Sequence, residues 1–287
     1  MRPIWRWSQP ASVISATSRI FNAGLRTAYG SAGVLRATID KLPLRALTLD
    51  IGNSRTKAAF FVDGELREPV LDLTDADRWA ALDREATNLG VSNVIYSTVA
   101  NVPPAAFLDR WTARKWTVVA LSDLEELPFP SVYETPRTLG QDRQAVVAAA
   151  RRLGRLPALV VDAGTCVTFD LVDAGGVYRG GNISPGLRMR LTAMHEYTRR
   201  LPRVAIAAPR DRVGRSTAQA VLHGGWMGVV YELEGLYNRL VNDGEPPTVL
   251  LTGGDADLLA VQLRMPVTVD RHLVLRGLYQ ILSDYYA

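Results

Sequence analysis

The sequence predicts an α/β protein built as two copies of one plan. Two observations carry this. An apolar run ending in an acid occurs twice: Arg45-Ala-Leu-Thr-Leu-Asp50 leads into Ile51-Gly52-Asn53-Ser54, and Pro157-Ala-Leu-Val-Val-Asp162 leads into Ala163-Gly164-Thr165. A second strand-like run follows each, Thr56–Val62 and Val167–Val172, so a strand–DxG–strand unit recurs 112 residues on. Helical stretches separate the strands on both sides of the repeat. The halves are expected at residues 44–155 and 156–287.

The elements follow in order. Asp63-Gly64 is a two-residue hairpin turn between Thr56–Val62 and a strand over Glu65–Val70. Thr74 and Asp75 can cap a helix that runs to Asn88 and stops at Gly90. A strand over Asn93–Thr98, a helix after Pro103-Pro104 and a strand over Thr117–Leu121 come next. Residues 122–140 hold three prolines and tandem glutamates and read as an ordered loop. Gln141–Leu153 is an Ala/Val/Arg helix ended by Gly154. In the second half, Gly175-Gly176 makes a turn, helices are expected at 185–198, 215–241, 255–263 and 272–285, and a strand at Thr248–Thr252.

Composition excludes several classes. Apolar residues are 47% and charged residues 22% of the 287, so the chain has enough apolar surface to fold. No apolar run reaches the roughly 18 residues of a membrane span. A lone cysteine, Cys166, allows no intramolecular disulfide and fits a reducing, cytoplasmic setting. His195, His223 and His272 lack metal-ligand spacing. The net charge of +4 is uneven: residues 1–41 carry +5, the rest −1, so the high isoelectric point says nothing about nucleic-acid binding. Residues 1–43 are set apart as a leader rich in Arg, Ser, Thr and Ala. They resemble a transit peptide, and read either as a disordered tail or, preferably, as translation from an early start, because the globular pattern begins abruptly at Leu44.

The chemistry-bearing motifs sit at the ends of these strands. In Asp50-Ile-Gly-Asn-Ser-Arg-Thr-Lys57, glycine admits close backbone approach to phosphate, Asn53, Ser54 and Lys57 can donate to phosphate oxygens, and Asp50 can hold a hydrated Mg²⁺. Alone, such a loop reads better as an ordinary turn with solvated polar residues; the second copy, Asp162-Ala-Gly-Thr165, shifts the balance toward two loops gripping one polyphosphate. Gly180-Gly-Asn-Ile-Ser-Pro-Gly186 reads as a third glycine cluster opening a helix, and Leu251-Thr-Gly-Gly-Asp255 as a fourth, passing close to a ribose or base. Gly140 turns the chain into a helix whose first turn holds Asp142 and Arg143. Asp142 reads as a general base for a substrate hydroxyl, although an acid there also complements the helix dipole. Arg143 reads as a bidentate grip on an anion. Cys166, the histidines and the tryptophans read as structural.

Taken together, DIGNSRTK, YETPRTLGQDR, DAGTCVTFD, GGNISPG, Ser216-Thr217 and LTGGD resemble the type III pantothenate kinases, over about residues 46–285. The resemblance implies the duplicated actin-like (ribonuclease H-like) fold with ATP in a cleft between the halves. It places ATP on Asp50, Ile51, Gly52, Asn53, Ser54, Arg55, Thr56, Lys57 and Thr165. It makes Asp142 catalytic, and puts pantothenate on Tyr133, Gly140, Gln141, Asp142, Arg143 and Thr217. Asp162 matches the ligand of a monovalent cation, K⁺ or NH₄⁺. Mg²⁺ with ATP and a homodimer are implied as well. Expected activity is ATP-dependent phosphorylation of pantothenate, the first step of coenzyme A synthesis. The alternative is a non-catalytic regulator that kept the fold; the presence of Asp50, Lys57, Asp142 and Asp162 weighs against it.

Overall fold

The computed structural model describes residues 44–285 apart from 53, 54, 100, 101, 210, 212 and 245. The leader assigned to residues 1–43 lies outside the described residues.

The first apolar run forms β1 (Ala46–Ile51), which pairs antiparallel with β2 (Thr56–Val62), itself antiparallel to β3 (Glu65–Asp72). Asp75 caps α1 (Ala76–Asn88), its carboxylate accepting the Arg78 N–H at 2.9 Å, and Gly90 takes the left-handed conformation the stop requires. This helix returns the chain so that β4 (Asn93–Thr98) lies parallel to β1. Through α2 (Ala105–Ala113), β5 (Thr117–Ala120) adds parallel to β4, giving the order β3-β2-β1-β4-β5.

After α3 (Gln141–Leu153) the plan repeats. Strands β6 (Ala158–Ala163), β7 (Cys166–Val172) and β8 (Tyr178–Pro185) form the antiparallel part. The long excursion through α4 (Leu187–Glu196) and α5 (Thr217–Asp243) leads to β9 (Thr248–Thr252), parallel to β6. Then α6 (Ala256–Ala260), β10 (Val267–Val269) and α7 (Leu273–Tyr285) complete the chain. The second sheet runs β8-β7-β6-β9-β10, the same order and directions as the first. This is the duplicated actin-like architecture.

Two expectations are corrected. The glycine cluster Gly180–Gly186 does lead into a helix, with Gly186 as the N-cap of α4, but most of it is strand β8 and not loop, at the edge of the sheet, where glycine is tolerated because only one neighbour must be paired. Its Gly181 is required by packing, since a Cβ there would lie 1.7 Å from the Phe169 carbonyl oxygen. The helix expected over 255–263 is confined to Ala256–Ala260, and the three-residue β10 carried no alternation long enough to read.

The core explains the layering. Helices α3 and α7 lie between the sheets, and one cluster joins Ala46, Phe61 and Ile95 of the first to Val160, Val172 and Leu250 of the second. Helix α3 is therefore buried almost all round, which its Ala145–Ala150 run permits. Where α3 and α7 cross, a Cβ on Gly277 would fall 1.8 Å from the Ala145 carbonyl oxygen, so only glycine fits. Helices α1 and α2 cover the outer face of the first sheet around Trp79 and Trp111; α4, α5 and α6 cover the second around Trp226. Trp79, Trp111 and Trp226 are core, and Trp116 packs half-buried against Trp111; Trp5 and Trp7 lie outside the described residues.

Candidate active site

Both DxG aspartates stand at the ends of central strands, β1 and β6. Asp50 pairs in register with Lys57 of β2 and Ser97 of β4; its Oδ1 accepts the Ser97 hydroxyl at 3.1 Å. The turn beyond closes tightly, the Gly52 N–H donating to the Arg55 carbonyl at 3.0 Å. Asn53 and Ser54, expected on phosphate, lie outside the described residues. Ile51 is core, so only its backbone is available to a ligand, and exposed Arg55 stands 3.9 Å from Asp72. Thr56 and Lys57 begin β2. Asp162 occupies the equivalent place opposite Thr168 of β7 and Thr252 of β9.

The glycine-rich strand ends of the second half converge on the loop after Asp162, for reasons of packing. A Cβ on Gly186 would lie 2.1 Å from the Gly164 carbonyl oxygen, and its N–H donates to the Thr165 carbonyl at 3.0 Å. Gly253, at φ +96°, leaves no room either: a Cβ would meet the Ala163 carbonyl oxygen at 2.3 Å and Asp162 Oδ1 at 2.5 Å. The Asp255 N–H closes the junction on the Ala163 carbonyl at 2.9 Å. Gly164 has nothing closer than 3.8 Å and Gly254 nothing within 4 Å, so both are left open to a ligand.

These loops line a cavity of about 970 Å³. Asp50, Gly52 and Lys57 enter it from the first half, Gly164 and Thr165 from the second, and Gly254 and Asp255 from the LTGGD turn. Its far wall is α4, with Arg188, Met189 and Thr192, then Glu196 and the highly exposed Tyr197. The reading of the sequence did not single out this wall, because nothing in α4 resembles a ligand motif. A smaller chamber of about 120 Å³ adjoins it, lined by Asp50, Lys57, Asp162 and Gly253.

Electrostatics tie the carboxylates together. Burial raises the Asp50 carboxyl above its ordinary value, partly offset by the Ser97 hydrogen bond; Asp142 adds to the rise and Lys57 opposes it. Asp162 is pushed up to about 7 by burial, then by Asp142 and Asp50, with Lys57 again opposing. Asp142, a residue of the first half, is thus electrically coupled to both loops.

Asp142 owes its place to the start of α3. Its Oδ1 accepts the Arg143 backbone N–H at 2.8 Å, and a Cβ on Gly140 would lie 2.5 Å from that oxygen, so glycine makes the space for the carboxylate. Gln141 is engaged with the fold: its Oε1 accepts the Thr98 N–H at 2.9 Å, fastening α3 to the end of β4. Arg143 corrects an expectation. It is no free fork at the surface; it is buried, with Nε donating to Asp170 Oδ1 at 2.9 Å and Nη2 to the Tyr178 hydroxyl at 2.8 Å. The Tyr133 ring lies over it, 5.9 Å from centroid to Cζ. Thr217 opens α5, exposed, beside the Ser216 cap. Asp170 and Tyr178 were missed. The available signal was a charged residue inside the apolar run Val167–Val172.

Comparisons with known proteins show the family. The family model for type III pantothenate kinase matches residues 46–239. A type III pantothenate kinase of Phocaeicola vulgatus is 37% identical over 251 residues, covering 83% of this chain and 97% of that one. One from Paramagnetospirillum magneticum is 35% identical over 250 residues, covering 82% and 95%. Among solved structures, one from Campylobacter jejuni described as a conserved Baf family transcriptional activator superposes with a TM-score of 0.51 at 22% identity, over 84% of this chain and 98% of that one, a likeness of fold. A model match across most of the body, and relatives alike over nearly their full length, place this chain in the type III pantothenate kinase family.

Proposed function

We propose that this protein transfers the γ-phosphoryl group of ATP to the terminal hydroxyl of pantothenate, giving 4′-phosphopantothenate and ADP, the first step of coenzyme A synthesis. The observation that carries the reading is that the Asp50–Lys57 and Gly164–Thr165 loops face one cavity, while the charge of Asp142 at the start of α3 acts on both loop aspartates. Phosphoryl transfer asks mainly for positioning and charge stabilisation, and two loops facing one cavity supply both.

In this reading Asp142 is the base. Its Oδ1 is held by the backbone, leaving Oδ2 to accept the proton of the attacking hydroxyl. Lys57 and the amides after Asp50 stabilise charge on the transferred phosphoryl. Thr165 and Gly164 hold the nucleotide from the other side, while Gly254 and Asp255 border its ribose and base. Tyr133, Gly140, Gln141 and Arg143 build the acceptor side, and Thr217 completes it. Among the described residues no three His, Cys, Asp or Glu side chains group to hold a metal. Mg²⁺ would arrive with the nucleotide, and Asp50 would hold it through its hydration shell. Such an ion neutralises phosphate charge.

Asp162 fits a monovalent cation, K⁺ or NH₄⁺: a carboxylate crowded by Asp50 and Asp142 gains from an added positive charge. A cytoplasmic homodimer fits edge strand β8, where exposed Ile183 and, on α5, exposed Tyr231 flank the Ser184–Glu232 hydrogen bond. No described helix is long and apolar enough to cross a membrane.

The product tests the reading. Incubated with ATP, Mg²⁺, K⁺ and pantothenate, the protein should yield pantothenate heavier by one phosphoryl group in mass spectrometry, with ³¹P coupling to the terminal methylene. ADP formed without a phosphorylated acceptor would overturn it.

A further inference from the structure

Beneath the acceptor side lies a buried carboxylate that the proposed chemistry does not use. Asp170, within β7, has no exposed surface. Its Oδ1 accepts Arg143 Nε at 2.9 Å and the Tyr178 hydroxyl at 2.7 Å, and Arg143 Nη2 lies 2.8 Å from it. Arg143 Nη2 also donates to the Tyr178 hydroxyl at 2.8 Å, closing a triangle between α3, β7 and β8. The Tyr133 ring rests on this triangle, 5.9 Å from Arg143 Cζ and 5.7 Å from the Tyr178 ring. Behind it the backbone is stitched to β8: the Tyr178 N–H donates to the Pro130 carbonyl at 2.9 Å and the Val132 N–H to the Tyr178 carbonyl at 3.1 Å.

Asp83 shows what a purely structural buried carboxylate looks like in this molecule. Both of its oxygens are satisfied, Oδ1 by Trp111 Nε1 and Arg114, Oδ2 by Arg110 and Arg114, and these hydrogen bonds outweigh burial to hold the carboxyl below its ordinary range. Asp170 differs: both partners bind one oxygen, and Oδ2 is buried with no hydrogen bond. An arrangement made only for stability would use both oxygens. This one fixes the direction of a guanidinium and a phenol.

We infer that Asp170 is the positioning residue of the acceptor pocket, holding Arg143 and Tyr178 so that Tyr133 and Asp142 stand where an acceptor alcohol must meet them. The identity of the acceptor rests on the pantothenate reading; the anchoring does not. Removing the charge leaves a buried guanidinium uncompensated, which frees it to move. A displacement of about 1 Å at such a site can cost about 10²-fold in rate.

Asp170→Asn, Tyr178→Phe and Asp83→Asn in the full chain test this, with kcat, both KM values and amide hydrogen exchange of the ligand-free protein. Asp170→Asn should lower kcat/KM for pantothenate about 10- to 100-fold, with a raised KM for pantothenate, while the KM for ATP stays within about twofold. Tyr178→Phe should act in the same direction, less strongly. In both, exchange across residues 129–133 should quicken while α3 and α7 remain protected. Asp83→Asn should lower thermal stability and leave both KM values and that exchange unchanged. Equal rises in both KM values, or unchanged exchange at 129–133, would overturn the inference. Should Asp170→Asn fail to fold, Tyr178→Phe decides by the same criteria. A wild type that leaves pantothenate untouched sinks the functional reading separately, and the exchange comparison still decides the role of Asp170.

Discussion

The loops after Asp50 and Asp162 occupy the same place on two sheets of one topology, yet their aspartates live differently. Asp50 has a serine hydroxyl from β4 and a lysine opposite on β2. Asp162 has threonines at the corresponding register positions and, among the described residues, no side-chain hydrogen bond. Both carboxyls are pushed up by burial, and that of Asp162 is pushed up to about 7. Duplication supplied one scaffold, and the neighbours at the paired positions divided the work. In the proposed reading the first loop meets phosphate and its magnesium, and the second, where two threonines stand in place of the serine and lysine, takes an added cation.

The comparison can be broken most severely at the residue coupled to both loops. Asp142→Asn should lower kcat by about 10²–10⁴ with little change in ATP affinity, read by steady-state kinetics and nucleotide titration. A variant with near-normal turnover would remove Asp142 as the base.

A second, smaller effect separates the two aspartates by pH. A carboxyl raised to about 7 in the folded chain is ordinarily ionised far lower when unfolded, so the unfolded state binds fewer protons between pH 4 and 7. Its contribution therefore opposes folding increasingly as pH rises through that window, and levels off above 7. Asp162→Asn should stabilise the ligand-free protein at pH 8 by on the order of 2 kcal/mol, allowing for partial exposure, and by almost nothing at pH 4. Added K⁺ should stabilise the wild type and not the variant. Denaturant melts at both pH values check this; an equal gain at each would contradict it.

The smallest expected effect compares the two glycines. A Cβ on Gly52 would lie 3.2 Å from the Arg55 carbonyl oxygen, whereas one on Gly164 has only ordinary contacts at 3.8 Å. Gly164→Ala should leave stability within about 0.5 kcal/mol and weaken ATP through lost backbone approach. Gly52→Ala should cost about 1 kcal/mol, because the turn must open slightly. Thermal melts with and without nucleotide separate the two.

Much of this was legible in the residues. Asp50, Asp162 and Asp142 announce themselves because an acid at the end of an apolar strand, or in a helix's first turn after glycine, has a definite place. Boundaries such as Thr56–Val62 and Gln141–Leu153 follow from alternation, Asp63-Gly64 and Gly154. Strand β8 was hidden because Gly, Asn and Pro signal loops, and only pairing along Cys166–Val172 overrides them. The partners of Arg143 were hidden for a related reason. Local sequence shows its place on α3 but not Asp170, 27 residues on, which turns the side chain inward. Helix α7 also packs on α3 and β1, across the boundary that the repeat suggested, because helix-to-sheet contacts between distant segments leave no local mark.

The central claim is a pantothenate kinase whose base stands between two nucleotide loops. Its most direct test is ADP release by the wild type and by Asp142→Asn, side by side, with ATP, Mg²⁺ and K⁺, with and without pantothenate. Strong release that needs pantothenate and falls about 10²–10⁴-fold in the variant is the expected result. Release that ignores pantothenate, or survives in the variant, would contradict the account.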